Sequence, residues 1–259
     1  MIGISLTPIV GLSFKRQMLE TKRGLMLVNG EKSLFIINRQ RRIYAVATQK
    51  NDSVDIDNEK QYIPHPKWLY NVLRGRDWAI LTTKNREIEL ICRGLLKLRY
   101  RSGFWSTVPL ASFFDKFKAY LSDSECAMKL LSLIEHLSSL RKGALFVILD
   151  NPEDVDHLIE QKKDFLNSKL QGKINMQNSP MEIIENISAV DGAVILSRDG
   201  EVLCSGAHIR PQPSLGSRAI ERTRTAAAIS ASYLGYSIKV SHDGDVTAYS
   251  KGETMFHIQ

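Results

Sequence analysis

The sequence predicts an α/β fold for the C-terminal half of the chain, preceded by a smaller α+β domain. Three observations carry this. From Ser124 onward, apolar helices and short apolar strands alternate, the rhythm of layered α/β architecture. Ahead of that point, short β-branched runs separated by turn residues read as a β-meander. Charge divides the chain as well: residues 1–123 hold 21 Lys and Arg against 11 Asp and Glu, while 124–259 hold 14 against 17. The division is placed at 123/124, giving a basic domain over 1–123 and a second domain over 124–259.

The elements follow in order. Arg23 to Gly30 is an apolar run closed by an Asn-Gly turn signal, and 33–38 and 43–48 continue as strands. Residues 51–66 are polar and end in two prolines, which makes them a loop before a short helix at 67–73 and strands at 78–83 and 87–93. A helix is predicted over 124–140, where Ala127, Leu130, Leu131, Ile134, Leu137 and Leu140 recur every three or four residues behind Ser124 as N-cap. A strand at 144–149 follows, then a helix opened by Asn151-Pro152-Glu153-Asp154 and running to about Leu170. Beyond Pro180 come a short helix (181–187), two strands (192–197 and 201–207) about the turn Arg198-Asp199-Gly200, and a Pro-rich loop (210–214). An Ala-rich helix (222–233) and a hairpin (237–241 with 246–250) complete the chain. Asp77 to Gly94 faintly echoes Asp191 to Gly206, two similar hairpins.

Composition excludes several classes. With 259 residues, 43 % hydrophobic and 24 % charged, this is a globular balance and not a disordered tail, collagen rod or coiled coil. The longest apolar run, Gly143 to Leu149, falls far short of the roughly 18 residues a membrane helix needs, so no span is expected. The N-terminus lacks signal-peptide features, and Cys92, Cys126 and Cys204 are odd in number with no CxxC pair. Free thiols, a cytoplasmic location and no zinc are expected. The basic residues between Lys15 and Lys50 either attract a polyanion such as nucleic acid or form a solvated face whose stems cover apolar surface.

Neither a P-loop, a GxGxxG fingerprint, a GxSxG elbow nor an HExxH pair is present. Chemistry-bearing residues instead gather in the last seventy positions: Asp191-Gly192-Ala193 at a strand start, Arg222-Thr223-Arg224-Thr225 at a helix start, and Ser241 at a strand end. A carboxylate beside glycine can accept a bond from a sugar hydroxyl or help hold a divalent ion. Two arginines flanking a hydroxyl residue in a helix's first turn aim guanidinium forks and free N–H groups at one point, which suits polyphosphate. Taken singly, each has an ordinary reading: a turn, a solvated helix face, an exposed serine.

Taken together, AVDGAVILSRDGEVLCSGAHIRP, RTRTAAAIS and IKVSHDGDVTAYSKGE resemble the diadenylate cyclase (DisA_N-type) domain family over about residues 141–255. The resemblance implies a mixed central sheet flanked by helices. It also implies one bound ATP per domain, Mg²⁺ or Mn²⁺, and a face-to-face dimer, at least transient, that condenses two ATP into cyclic di-AMP and two pyrophosphates. Position by position, it implies that Asp191 works near the ribose 3′-hydroxyl and the metal, that Gly192 and Ala193 line the pocket, and that Ile209 packs on adenine. Arg222, Arg224 and Thr225 match the second motif, and Ser241 matches a phosphate-contacting serine. Thr223 departs from the family's histidine and Ile220-Glu221 from its Gly-Thr. His208 and His242 stand as further metal-ligand candidates.

The expectation is therefore a diadenylate cyclase, with Asp191, Arg222 and Arg224 catalytic. A nucleotide-sensing module with a degenerate site is the alternative, and a nucleic-acid-binding protein the third.

Overall fold

The computed structural model describes residues 4–13, 33–37, 42–49, 78–82, 87–92, 97–101, 103–108, 110–160, 173–211 and 224–258. The strand expected at 23–30, the loop at 51–66 and the helix at 67–73 lie outside them. The described residues fall into two compact units by internal contacts, one holding those up to Leu110 and the other those from 111 onward.

The described part of the first unit is antiparallel sheet. Strands β1 (Ile4–Ser13), β2 (Ser33–Ile37) and β3 (Arg42–Gln49) pair in the order β1-β3-β2. Strands β4 (Trp78–Thr82), β5 (Ile88–Cys92), β6 (Lys97–Arg101) and β7 (Phe104–Val108) form a meander in chain order. The sequence reading anticipated β2 to β5. It passed over β1, where Pro8 and Gly11 interrupt the apolar alternation, and the short β6 and β7, of which β6 carries three basic residues among its five.

The second unit is mixed α/β and opens earlier than the expected boundary at 124. Helix α1 (Leu110–Phe117) belongs to it because Phe113 and Phe117 are completely buried and Phe113 stacks on Phe256 at 4.8 Å. Helix α2 (Ser124–Ser139) then starts one residue after its cap. Asp123, not Ser124, is the N-cap, its carboxylate accepting from the Cys126 N–H at 3.2 Å. That carboxyl is held below the usual range by the Glu125 N–H, the Gln177 side chain and the Cys126 N–H. Burial pushes the Cys126 thiol up to about 12, and Cys126 and Cys204 are both buried thiols outside any disulfide.

Strand β8 (Ala144–Leu149) is buried at every position, as befits a strand covered on both faces. It leads through a 3-10 turn (Pro152–Asp154) into a single helical turn, α3 (Val155–Leu158). The helix expected to reach Leu170 stops here: Ile159 is extended and forms an antiparallel bridge to Ile209. Residues 161–172 lie outside the described set. Then come α4 (Met181–Ser188), β9 (Ala193–Leu196), β10 (Val202–Ala207), α5 (Arg224–Ala231), β11 (Gly235–Val240), β12 (Val246–Ser250) and β13 (Glu253–Ile258). The strand β13 was not anticipated, since its residues are mostly exposed.

These strands form a mixed sheet in the order β10-β9-β8-β11-β12-β13, with β8 and β9 parallel and every other pair antiparallel. Leu145, Val147 and Leu149 on one face join Ile195, Tyr249, Leu158, Ile159 and the Ala228 and Ala231 of α5 in one apolar cluster. Helices α2 and α4 touch the sheet without entering that cluster, so both faces are covered. Among the described residues no helix is long and apolar enough to cross a membrane.

Candidate functional site at one edge of the mixed sheet

Strand direction brings the distant motifs to one edge. The parallel register of Phe146 with Val194 sets Gly143, before β8, level with the Asp191-Gly192 segment before β9. The antiparallel strands end where these begin: Ala207 lies opposite Ala193, and Val240 opposite Ala144. Along this edge the chain therefore presents His208, Asp191 with Gly192, Gly143, and Ser241 with His242, successive strands being about 4.8 Å apart.

Asp191, Gly192, Ala193, Ile209 and Arg224 line one cleft of about 480 Å³. Leu145, Ala207, Pro211 and the small residues Ala226, Ala227 and Ser230 of α5 complete most of its wall. Asp191 is exposed and its carboxylate accepts no hydrogen bond among the described residues. Gly192 cannot be replaced without strain. Its φ is +118°, and a Cβ there would stand 2.4 Å from the Gly206 carbonyl carbon and 2.8 Å from the Ala207 nitrogen, both backbone.

Arg224 opens α5, and the tip of its side chain reaches Gly143, the residue before β8. Its Nη1 lies 2.2 Å from where a Gly143 Cβ would be, and His242 Cε1 lies 3.1 Å from the same point. Glycine at 143 thus lets the guanidinium and the imidazole sit over the strand end together. No hydrogen bond or ion pair neutralises Arg224 among the described residues, so its charge faces the cleft uncompensated.

Two expected site residues stand outside the cleft wall. Thr225 Oγ1 accepts from Lys239 Nζ at 3.0 Å, which brings a second cation from β11 to the first turn of α5. Ser241 Oγ accepts from the Asp245 N–H at 3.0 Å, closing the turn between β11 and β12. Arg222, with Thr223 and Glu221, lies outside the described residues. Sequence reasoning missed Glu160 and Lys239. Glu160 lines the cleft from the segment read as mid-helix, and Lys239 alternates with core residues on a strand whose face only the sheet defines.

His208 lines the cleft and His242 does not. Among the described residues no three His, Cys, Asp or Glu side chains form a group that could hold a metal by themselves. A divalent ion here would be held by Asp191 and by oxygens of a bound phosphate, a hard oxygen set that suits Mg²⁺ or Mn²⁺.

Residues 132–254 match the family model described as DisA bacterial checkpoint controller nucleotide-binding, the DAC domain. The C-terminal half is thus similar to the DAC domain family. Its match spans β8 to β12 and thus every strand that builds the cleft edge. The chain is also similar to two solved structures. A hypothetical membrane spanning protein from Bacillus cereus is 22 % identical over 56 % of this chain and 69 % of that one, with a TM-score of 0.43. DacA from Staphylococcus aureus, as a double mutant, is 16 % identical over 57 % of this chain and 90 % of that one, with a TM-score of 0.35. No curated protein matches the chain.

Proposed function

We propose that the second unit binds ATP in this cleft and, when two such units meet face to face, condenses two ATP into cyclic di-AMP and two pyrophosphates. The observation that carries the reading is the order of groups along the sheet edge. Apolar Ile209 stands at one end, Asp191 with Gly192 in the middle, and Arg224 with Ser241 and His242 at the other. An extended nucleotide presents its base, ribose and phosphates in that same order. From the strand of Asp191 to that of Ser241 is two strand spacings, about 10 Å.

Each 3′-oxygen attacks the α-phosphorus of the other nucleotide. The new O–P bond forms as the bond from the α-phosphorus to its bridging oxygen breaks, and pyrophosphate leaves with that electron pair. In this reading Asp191, which lines the cleft, orients the 3′-hydroxyl and accepts its proton. Arg224, with Lys239 behind Thr225, offsets charge that grows on the leaving group. Bound Mg²⁺ or Mn²⁺ would supply further charge neutralisation on the phosphates. Because each site holds one nucleotide and the reaction joins two, rate per molecule should fall on dilution.

One observation favours a second reading, a nucleotide sensor without turnover: the Ser241 hydroxyl is engaged in its own turn. Purified chain incubated with ATP and Mn²⁺, analysed by mass spectrometry, separates the two. Cyclic di-AMP formation is expected, and Asp191→Asn should reduce it by about 100-fold or more while ATP affinity stays within several-fold. Bound ATP with no product leaves the sensor, and equal turnover in the variant removes Asp191 from the chemistry.

A further inference from the structure

We propose that the β6–β7 hairpin of the first unit docks on an anionic phospholipid bilayer, its tip entering the headgroup region without spanning the membrane. The tip is built from two consecutive aromatic residues. Arg101 pairs with Phe104 and Gly103 takes a φ of +92°, so the hairpin turns just before Phe104. Phe104 is 76 % exposed, and Trp105 beside it is about half exposed. Neighbours along a strand point to opposite faces, so Phe104 shares its face with Arg101, while Trp105 joins Tyr100 and Ile88 in one row on the other. The tip is therefore apolar on both sides. A platform for stacking bases sets its aromatic rings along one face. Rings on opposite faces of one turn are covered together only by surroundings that enclose it, and the boundary between headgroups and acyl chains does so.

Charge chooses the lipid. Residues 78–108 hold six Lys and Arg against two Glu. The two acids, Glu87 and Glu89, are both buried and ion-paired, Glu87 with Arg101 at 2.8 Å and Glu89 with Arg99 at 3.0 Å. Neither is left to repel an anionic headgroup. Thr82, Ile88, Tyr100 and Trp105 lie in one cross-strand row at the tip's end of the meander, and the sequence joining Thr82 to Ile88 holds Lys84 and Arg86. Cations beside an apolar anchor are drawn to anionic lipid, and the two attractions together hold a peripheral protein where either alone is weak.

The test is co-sedimentation of the full chain with vesicles of equal parts phosphatidylglycerol and phosphatidylcholine, and with vesicles of phosphatidylcholine alone. Wild type should pellet with the mixed vesicles and several-fold more weakly with phosphatidylcholine, and added salt should shrink the difference. Phe104→Thr should weaken binding to the mixed vesicles by about tenfold, and adding Trp105→Thr should weaken it further. Threonine suits a strand, and Phe104 is mostly exposed, so the single variant should keep the wild-type urea midpoint and report on binding even if the double variant folds poorly. Equal pelleting of wild type and the single variant, no pelleting with either vesicle, or equal affinity for both vesicles overturns the proposal. So does a tip that serves another occupant: a dimer in sedimentation velocity, or a complex with a single-stranded oligonucleotide, that Phe104→Thr abolishes while vesicles are not bound. Every one of these outcomes is independent of whether the chain binds a nucleotide.

Discussion

The meander β4–β7 and the mixed sheet of the second unit place their charges in opposite ways. In the meander, Glu87, Glu89 and Arg99 are 2 %, 2 % and 1 % exposed, while Trp105 on the other face is 51 % exposed and leans on Tyr100 with ring centroids 5.2 Å apart. The buried charges satisfy one another: Arg99 Nη2 lies 3.0 Å from Glu89 Oε1, and Arg101 Nε lies 2.8 Å from Glu87 Oε1. In the mixed sheet, β8 is apolar throughout, and Asp191, Glu160 and Arg224 stand at or near one edge without partners among the described residues. Charges that neutralise each other internally hold a fold together. Charges left uncompensated at a strand edge are available to a ligand.

The largest expected effect breaks the first arrangement. Arg99→Ala removes the Arg99 ion pairs of buried Glu89 and Glu87, which should cost about 3–5 kcal/mol in urea denaturation, because a buried carboxylate that loses an ion-pair partner retains its desolvation penalty. Replacing Arg99 and Glu89 together by Met and Leu should recover much of that loss. A cost for Arg99→Ala below about 1 kcal/mol would mean the network is hydrated like a surface pair.

A smaller effect sharpens the second arrangement. Gly143→Ala puts a methyl group where the Arg224 tip now lies, and the obstacle is the flexible end of a long side chain, with the His242 ring close by. Stability should change little, whereas ATP affinity should fall by roughly three- to tenfold, on the order of 1 kcal/mol. Unchanged affinity would show that Arg224 serves the phosphates from a position that does not need the strand end clear.

The smallest effect lies at a surface pair that resembles the meander's network but faces water. Lys142 Nζ at 2.8 Å, with His136 Nε2 at 3.4 Å, holds the Glu185 carboxyl below its usual range. A depressed carboxyl stabilises the fold above its unfolded pKa, about 4.3, and that contribution disappears as pH falls through the folded value. Glu185→Gln should therefore lower stability by under about 1 kcal/mol at pH 7. The difference should close as the solution is acidified, which denaturation midpoints at several pH values would show.

The elements legible in the sequence are those with a strong local period. The stripe of α2, the apolar run of β8 and the Asp-Gly-flanked β9 and β10 need no partner to be recognised, because side-chain spacing reports the buried face directly. Elements whose side-chain pattern does not report the buried face were passed over, such as β6, where the charged Arg99 is buried while Leu98 and Tyr100 are half-buried, and the exposed β13. The end of α3 was misplaced because what stops it is the pairing of Ile159 with Ile209, fifty residues away.

The candidate site divides in the same way. The sequence by itself determined which motifs are present and in what chain order: Asp191-Gly192-Ala193, the arginines opening the Ala-rich helix, and Ser241 at the β11 end. Only the tertiary structure decided their spatial order. Whether two motifs share an edge depends on whether their strands run parallel or antiparallel, which no local spacing encodes. It also decided that Gly143 makes room for Arg224, that Ser241 closes a turn, and that Glu160 joins the cleft. Each of these is a contact between residues far apart in the chain, set by packing and register.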